Sequence, residues 1–140
     1  NLLVIGTGPE SELVQNVENV ISIEQCPLDE LYQYYMCADA YVHPGNEPYS
    51  LALADAAVAG LPIVATSGVG AVEDVVNDGK NGFIVPENDI SALVKAMEKV
   101  YHKCYDSESV FSMQLYLVNE RGISWAAGEL TKAIGRCNRS

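Results

Sequence analysis

The chain has 140 residues, is 49% hydrophobic and carries a formal charge of −11. That length supports one hydrophobic core, and apolar runs of four to six residues such as Leu2 to Ile5 fall far short of the roughly 20 residues that span a membrane. Twelve acidic residues precede Lys80, the first lysine or arginine, and the seven acids after it meet eight bases; such a chain does not hold a nucleic-acid backbone by general electrostatics, and a bound phosphate needs backbone N–H groups or cations from elsewhere.

Leu2-Leu3-Val4-Ile5 reads as a buried strand ending at Gly6-Thr7-Gly8-Pro9. Pro9 suits the first turn of a helix, with Glu10 and Glu12 near its positive end. Val20 to Ile23 is a second strand. Pro27-Leu28-Asp29-Glu30 opens a helix with a stripe of Leu28, Leu31, Tyr34 and Tyr35; the Tyr32, Tyr34 and Tyr35 cluster reads as packing rather than as a stacking platform. Ala40-Tyr41-Val42 is a third strand, closed by His43-Pro44-Gly45, where His43 reads as a strand end. Leu51 to Ala59 is apolar nearly all round apart from Asp55, which predicts a helix packed on most sides and stopped by Gly60.

Pro62 to Ala65 is a fourth strand and Thr66 to Gly70 a turn. Ala71 to Val76 is a short helix ended by Asn77-Asp78-Gly79. Gly82 precedes a fifth strand at Phe83-Ile84-Val85. Asn88 or Asp89 caps a helix running to about Tyr101. Two terminal helices follow, Asp106 to Glu120 and Ser124 to about Cys137, the last burying Trp125, Leu130, Ala133 and Ile134. Short strands alternating with helices predict an α/β fold with a parallel sheet covered on both faces.

Asn1 enters a strand-like run at once, so the chain reads as a segment whose beginning is missing, and no signal-peptide pattern is present. Cysteines 26, 37, 104 and 137 form no CxxC, and the histidines are His43 and His102 alone. No zinc cluster is expected, and the thiols read as reduced in a cytoplasmic protein.

In an open parallel sheet, ligands sit beyond the carboxyl ends of the strands. Gly6-Thr7-Gly8, His43 through Ser50, and Thr66 through Gly70 occupy that edge. Ser50 lies where a cap would sit, so the first N–H groups of the next helix, at Leu51 and Ala52, point at the same edge and favour a phosphate. Asp55, the single charge of that helix, needs partners. Ligand hydroxyls are one possibility; neighbouring backbone or a solvent channel is the other. Glu47 is a ligand contact or an ordinary loop acid, and Glu73 a weaker candidate or a helix-start carboxylate. Gly6-x-Gly8 lacks the third glycine of the dinucleotide fingerprint.

The stretch from His43 through Ala65, with Glu47 and Asp55 separated by seven residues, resembles the signature of family 4 glycosyltransferases. Their usual text is P-S-x-x-E-G-F-G followed by an E-A-M-A-x-G-x-P-V-V-A run. Leu3 to Pro9, Ala38-Asp39-Ala40-Tyr41-Val42, Asn77 to Val85 and Ser124-Trp125 resemble further elements in the same order. The resemblance implies a Rossmann-like domain of the two-domain GT-B architecture, specifically the carboxyl-terminal, nucleotide-sugar-binding domain of a retaining enzyme. Residues 1–140 would be part of that domain, with terminal helices at about 106–138. Its first strand–helix unit, carrying an arginine and a lysine that clamp the diphosphate, and the acceptor domain would be absent, leaving the isolated segment inactive.

By resemblance, Asp55 binds ribose hydroxyls. Glu47, the catalytic candidate, contacts and orients the donor sugar. Backbone N–H groups around Ser50, Leu51 and Ala52, next to Tyr49, hold the diphosphate. Glu24, Gln25 and Cys26 line the nucleobase, and Gly6 and Gly8 shape the cleft floor. The implied donor is a nucleotide-diphosphate sugar used without cofactor or metal. The implied acceptor is a sugar or lipid-linked hydroxyl reached through the missing domain, so the parent could touch the cytoplasmic membrane face. Pro48 and Ser50 replace two family glycines, Pro48 removing a backbone donor, and Asp55 replaces the usual glutamate. A nucleotide-sugar epimerase domain, a non-enzymatic nucleotide-binding or partner-binding module and a nicotinamide-binding domain are the alternatives.

Overall fold

The computed structural model describes residues 1–120, which fall into two units, Asn1–Cys37 and the part beginning at Ala38. The expected helix from Ser124 to about Cys137 lies outside the described residues.

In the first unit, β1 (Leu2–Ile5) pairs in parallel with β2 (Val20–Ile23), Leu2 lying opposite Val20 and Ile5 opposite Ile23. The link between them differs from expectation. Pro9 does not start an α-helix; the chain makes one 3-10 turn at Ser11–Val14. Asn16 and Asn19 take left-handed φ values of 58° and 63°, which ends helical geometry. Leu13 is exposed, so no apolar face offsets the cost of helix nucleation there. The next helix, α1 (Leu28–Cys37), behaves as its pattern predicts. Tyr35 is buried, Leu31 and Tyr34 are partly buried, and the tilted Tyr32 and Tyr35 rings lie 6.4 Å apart.

The second unit runs β3 (Tyr41–His43), α2 (Leu51–Val58), β4 (Ile63–Thr66), α3 (Val72–Val75), β5 (Gly82–Val85), α4 (Ile90–Tyr101) and α5 (Ser107–Glu120). Its sheet has the order β3-β4-β5, all parallel. All four residues of β4 are buried, as a central parallel strand requires. Alternation sends Ile63 and Ala65 into a core with Leu53, Ala57, Val69, Val72 and Val75. Val64 enters a second core with Phe83, Val85, Ala96 and Val100. Each large aliphatic side chain so buried contributes about 1.5–3 kcal/mol.

The helix ends follow their sequence signals. Ser50 Oγ accepts the Leu53 N–H at 3.2 Å, a cap worth about 1 kcal/mol. Gly60 takes φ 80° after α2, and Gln114 of α5 donates to the Val58 carbonyl at 2.8 Å, satisfying an end-of-helix acceptor. Asp89, not Asn88, caps α4 by accepting the Ala92 N–H. Asp106 caps α5. The Ser109 hydroxyl, followed by the Glu108 N–H, holds its carboxyl below the usual range.

The Asn77-Asp78-Gly79-Lys80-Asn81-Gly82 run has a structural explanation. Buried Asn81 donates to the Val75 carbonyl at 2.9 Å and accepts the Asn77 N–H at 2.7 Å. Asp78 accepts the Ile84 N–H at 2.9 Å. A Cβ on Gly82 would stand 2.1 Å from the Ile63 carbonyl oxygen. The run therefore ties α3 to β5 by side-chain hydrogen bonds and a close strand approach.

Candidate functional site

The loop from β3 to α2 is pinned at several points. The Thr66 hydroxyl donates to the Gly45 carbonyl, and Asn46 Nδ2 donates to Glu87 Oε2 at 2.6 Å. The Glu47 N–H donates to the Gly68 carbonyl at 3.2 Å, and the Gly70 N–H donates to the Glu47 carbonyl at 2.9 Å. Glu47 and Val69 thus form a one-residue parallel bridge. Beyond this fixed backbone, Glu47 Oε1 lies 3.0 Å from His43 Nε2. His43 Nδ1 lies 3.2 Å from the Tyr41 hydroxyl. His43 is more than a strand end, and Glu47 is more than a free loop acid.

The start of α2 is open. Leu51 is 74% exposed and Tyr49 55%, so no packed side chains cover the first helical turn. Ser50, 1% exposed, is the cap the sequence predicts. A first-turn N–H such as that of Leu51 has no acceptor within its own helix. Ala52 already has an interaction of its own, so Leu51 carries most of the anion-holding expectation.

The expectation that α2 is packed on most sides holds past its first residue: Leu51 is exposed, and the rest of the helix is buried or partly buried. Leu53, Ala56 and Ala57 are its buried residues. Leu51 and Asp55, four residues apart, share the opposite face. Asp55 is partly buried, and its carboxylate has no hydrogen bond or ion pair among the described residues. Neighbouring backbone therefore does not supply the partner that the sequence called for.

Burial raises the Asp55 pKa. A carboxyl with a raised folded-state pKa stays protonated while the unfolded chain ionises. Its contribution to stability is lost as pH climbs from the ordinary value of 3.8 through the raised one, and the deficit persists at neutral pH. Asp55→Asn is therefore expected to melt above the wild type at neutral pH and to match it at strongly acidic pH. Thermal midpoints across a pH series check this, and a variant less stable than the wild type at neutral pH would contradict it.

The first unit holds the other predicted residues. An open depression of about 500 Å³ is lined by Ile5, Gly6, Thr7, Glu24, Gln25, Cys26 and Pro27. The structure thus gathers Gly6, Glu24, Gln25 and Cys26 around one concavity, of a size that small-molecule sites have. Gly6 takes φ 132°, a conformation open to glycine alone. Gly8 stands apart from this lining, and its N–H is taken by Ser11 Oγ at 2.7 Å. Glu73 is exposed in the first turn of the four-residue α3. Cys37 and Cys104 are free thiols, and Cys26 Sγ donates to the Pro27 carbonyl at 3.3 Å; Cys137 lies outside the described residues. Among the described residues, no group of three His, Cys, Asp or Glu could hold a metal ion, and no helix is long and apolar enough to cross a membrane.

The family profile described as Glycosyl transferases group 1 matches residues 1–103. The chain belongs to that family. Among its curated relatives is an uncharacterized glycosyltransferase of Haemophilus influenzae. It is 30% identical over 104 residues, which cover 70% of this chain and 30% of the relative. The phosphatidyl-myo-inositol mannosyltransferase of Mycobacterium leprae is 33% identical over 102 residues, or 69% of this chain and 27% of that protein. The chain thus spans under a third of the length of these relatives.

Solved structures show the fold. Sucrose-phosphate synthase from Thermosynechococcus elongatus matches with a TM-score of 0.78 at 24% identity, over 97% of this chain and 39% of that one. Anabaena HepE, determined in complex with UDP-glucose, matches with a TM-score of 0.77 at 19% identity, over 96% and 40%. The group 1 chain therefore has the α/β architecture of a single GT-B-type Rossmann domain.

Sequence reading missed the Tyr41–His43–Glu47 chain of contacts. The four-residue spacing of His43 and Glu47 is the one local signal for it, and Pro44-Gly45 between them argues against the helix in which that spacing usually matters.

Proposed function

We propose that this chain is the donor-binding, carboxyl-terminal domain of a retaining, family 4 type glycosyltransferase, and that the whole protein moves a sugar from a nucleotide diphosphate to an acceptor hydroxyl. The observation that carries the reading is the placement of Glu47. Its carboxylate is fixed at the end of β3, in the loop that leads into the open start of α2. In the proposed assignment, Glu47 orients the donor sugar and Asp55 accepts hydrogen bonds from the ribose hydroxyls. The Leu51 N–H and the α2 dipole favour the diphosphate. The resemblance alone assigns Glu24, Gln25 and Cys26 to the nucleobase. The UDP-glucose in the Anabaena relative and the GDP-mannose-dependent mannosyltransferase of Corynebacterium glutamicum, 29% identical over 97 residues covering 68% of this chain and 23% of that protein, support a nucleotide-sugar donor.

The chemical difficulty is the charge that develops on the departing diphosphate. Preorganised N–H dipoles lower that barrier because they need no rearrangement during reaction. Lysine and arginine are absent before Lys80, so in this reading the cations that complete the clamp are not supplied by residues 1–79. The acceptor enters from a separate domain, on the cytoplasmic side and, for a lipid-linked acceptor, at the membrane face. Attack occurs on the face the leaving group vacates, which retains configuration and assigns Glu47 no nucleophilic role.

The test is a binding screen of the full-length protein against UDP-, GDP- and ADP-sugars. One class is expected to bind, and Asp55→Asn is expected to weaken it about tenfold, the loss of one charge-assisted hydrogen bond. Unchanged affinity in that variant would remove Asp55 from the site. Binding without turnover of any donor would favour a nucleotide-binding module instead.

A further inference from the structure

We infer that His43 is a positioning residue that, backed by Tyr41, sets the orientation of the Glu47 carboxylate toward the donor; the inference rests on the role proposed above for Glu47. A glutamate side chain has three rotatable bonds, and that of Glu47 is 40% exposed, so nothing in its packing alone selects one rotamer. Two ties do. The backbone is held by the bridge to Val69, and Oε1 is held 3.0 Å from His43 Nε2.

The protons follow from the chemistry of the groups. An ionised carboxylate only accepts, so the hydrogen of this contact sits on Nε2. In the neutral ring Nδ1 is then an acceptor, and the Tyr41 hydroxyl donates to it across 3.2 Å. The Tyr41 ring packs against the core formed by α2, β4 and α3 and stacks on the imidazole at 6.1 Å between centroids. The core thus fixes Tyr41, Tyr41 fixes the tilt of His43, and His43 fixes Glu47. Gly45 leaves room for this arrangement, since a Cβ there would stand 3.3 Å from Nε2. The tie occupies Oε1; Oε2 has no partner among the described residues and remains able to accept a hydrogen bond from a ligand hydroxyl.

The experiment uses the full-length protein, with UDP-glucose, GDP-mannose and ADP-glucose as probes, following nucleotide release and nucleotide affinity. His43→Leu is expected to slow release roughly tenfold, the scale of a misplaced positioning group, while nucleotide affinity stays within about twofold. His43→Gln retains an amide donor near the position of Nε2 and is expected to recover most of the rate, which a merely space-filling role for the ring would not predict. It also keeps the test decisive if the leucine variant misfolds. The double variant with Glu47→Ala is expected to be no slower than Glu47→Ala alone, because both changes remove one interaction. A wild-type rate in His43→Leu beside a slow Glu47→Ala overturns the positioning role and leaves the role of Glu47 standing. A wild-type rate in Glu47→Ala, or no release from any of the three donors, overturns both.

Discussion

Gly70→Ala is expected to destabilise the protein by about 3 kcal/mol, the upper end of what an overpacked methyl costs, and to lower the thermal midpoint by roughly 10 °C. Gly70 is exposed, and substitutions at exposed positions usually change stability little. Here the neighbour is backbone. A Cβ at Gly70 would stand 1.8 Å from the Pro48 carbonyl oxygen and 2.7 Å from its carbon. No rotamer change relieves such a clash; the whole segment around Pro48 must retreat. That retreat stretches the Gly70 N–H bond to the Glu47 carbonyl and the Glu47 N–H bond to Gly68, so it also displaces the proposed catalytic carboxylate. Gly8→Ala is the matched control, because nothing lies within 4 Å of its Cβ position. Thermal melts of the two variants check the prediction. Equal midpoints would mean that the Glu47 loop does not lie against the Thr66–Gly70 turn as described.

That contact illustrates what the sequence could and could not reveal. Elements set by local chemistry were legible. β4 is a four-residue run of Ile63, Val64, Ala65 and Thr66 bounded by Pro62 and a glycine-bearing turn, and it is a central parallel strand. Ser50 and Asp89 are short polar residues ahead of apolar repeats, and both cap helices. The segment after Pro9 looked similar, with glutamates following a proline. Its helix fails because Asn16 and Asn19 turn left-handed and Leu13 finds nothing to pack on.

Contacts that depend on the tertiary path of a loop left no local trace. Asn46 and Glu87 are 41 residues apart and meet because β3 and β5 flank β4. The need for glycine at position 70 comes from the approach of another segment, which a single sequence does not record. The exposed start of α2 was not legible for a related reason. Leu51 continues the apolar pattern of Ala54 and Val58, yet it alone in α2 is exposed, while Ala54, Asp55 and Val58 are partly buried. The family resemblance located Glu47 and Asp55 by spacing. It could not say that one carboxylate is tied to a histidine while the other stands without a partner among the described residues.

Glu47→Ala is expected to slow sugar transfer by the full-length protein on the order of 100-fold, the effect of losing a group that aligns the reacting centre, with little loss of nucleotide affinity. The two quantities separate because Glu47 is assigned to the sugar, whereas the nucleotide is assigned to Asp55 and the Leu51 N–H. Stability is expected to fall by less than about 1 kcal/mol, since a part-exposed side-chain pair contributes no more than that. The anchoring of the loop uses the Glu47 main chain, which alanine retains. Glu47→Gln refines the test. It preserves the shape and an oxygen able to accept from His43 Nε2, but it removes the charge. A glutamine variant close to the wild type would assign Glu47 a purely geometric role; one as slow as alanine would mean that its negative charge stabilises the electron-poor sugar as the diphosphate departs. Rates and affinities measured on the same preparations decide between these outcomes. A fall in affinity that matched the fall in rate would instead move Glu47 from orienting the sugar to holding the donor as a whole.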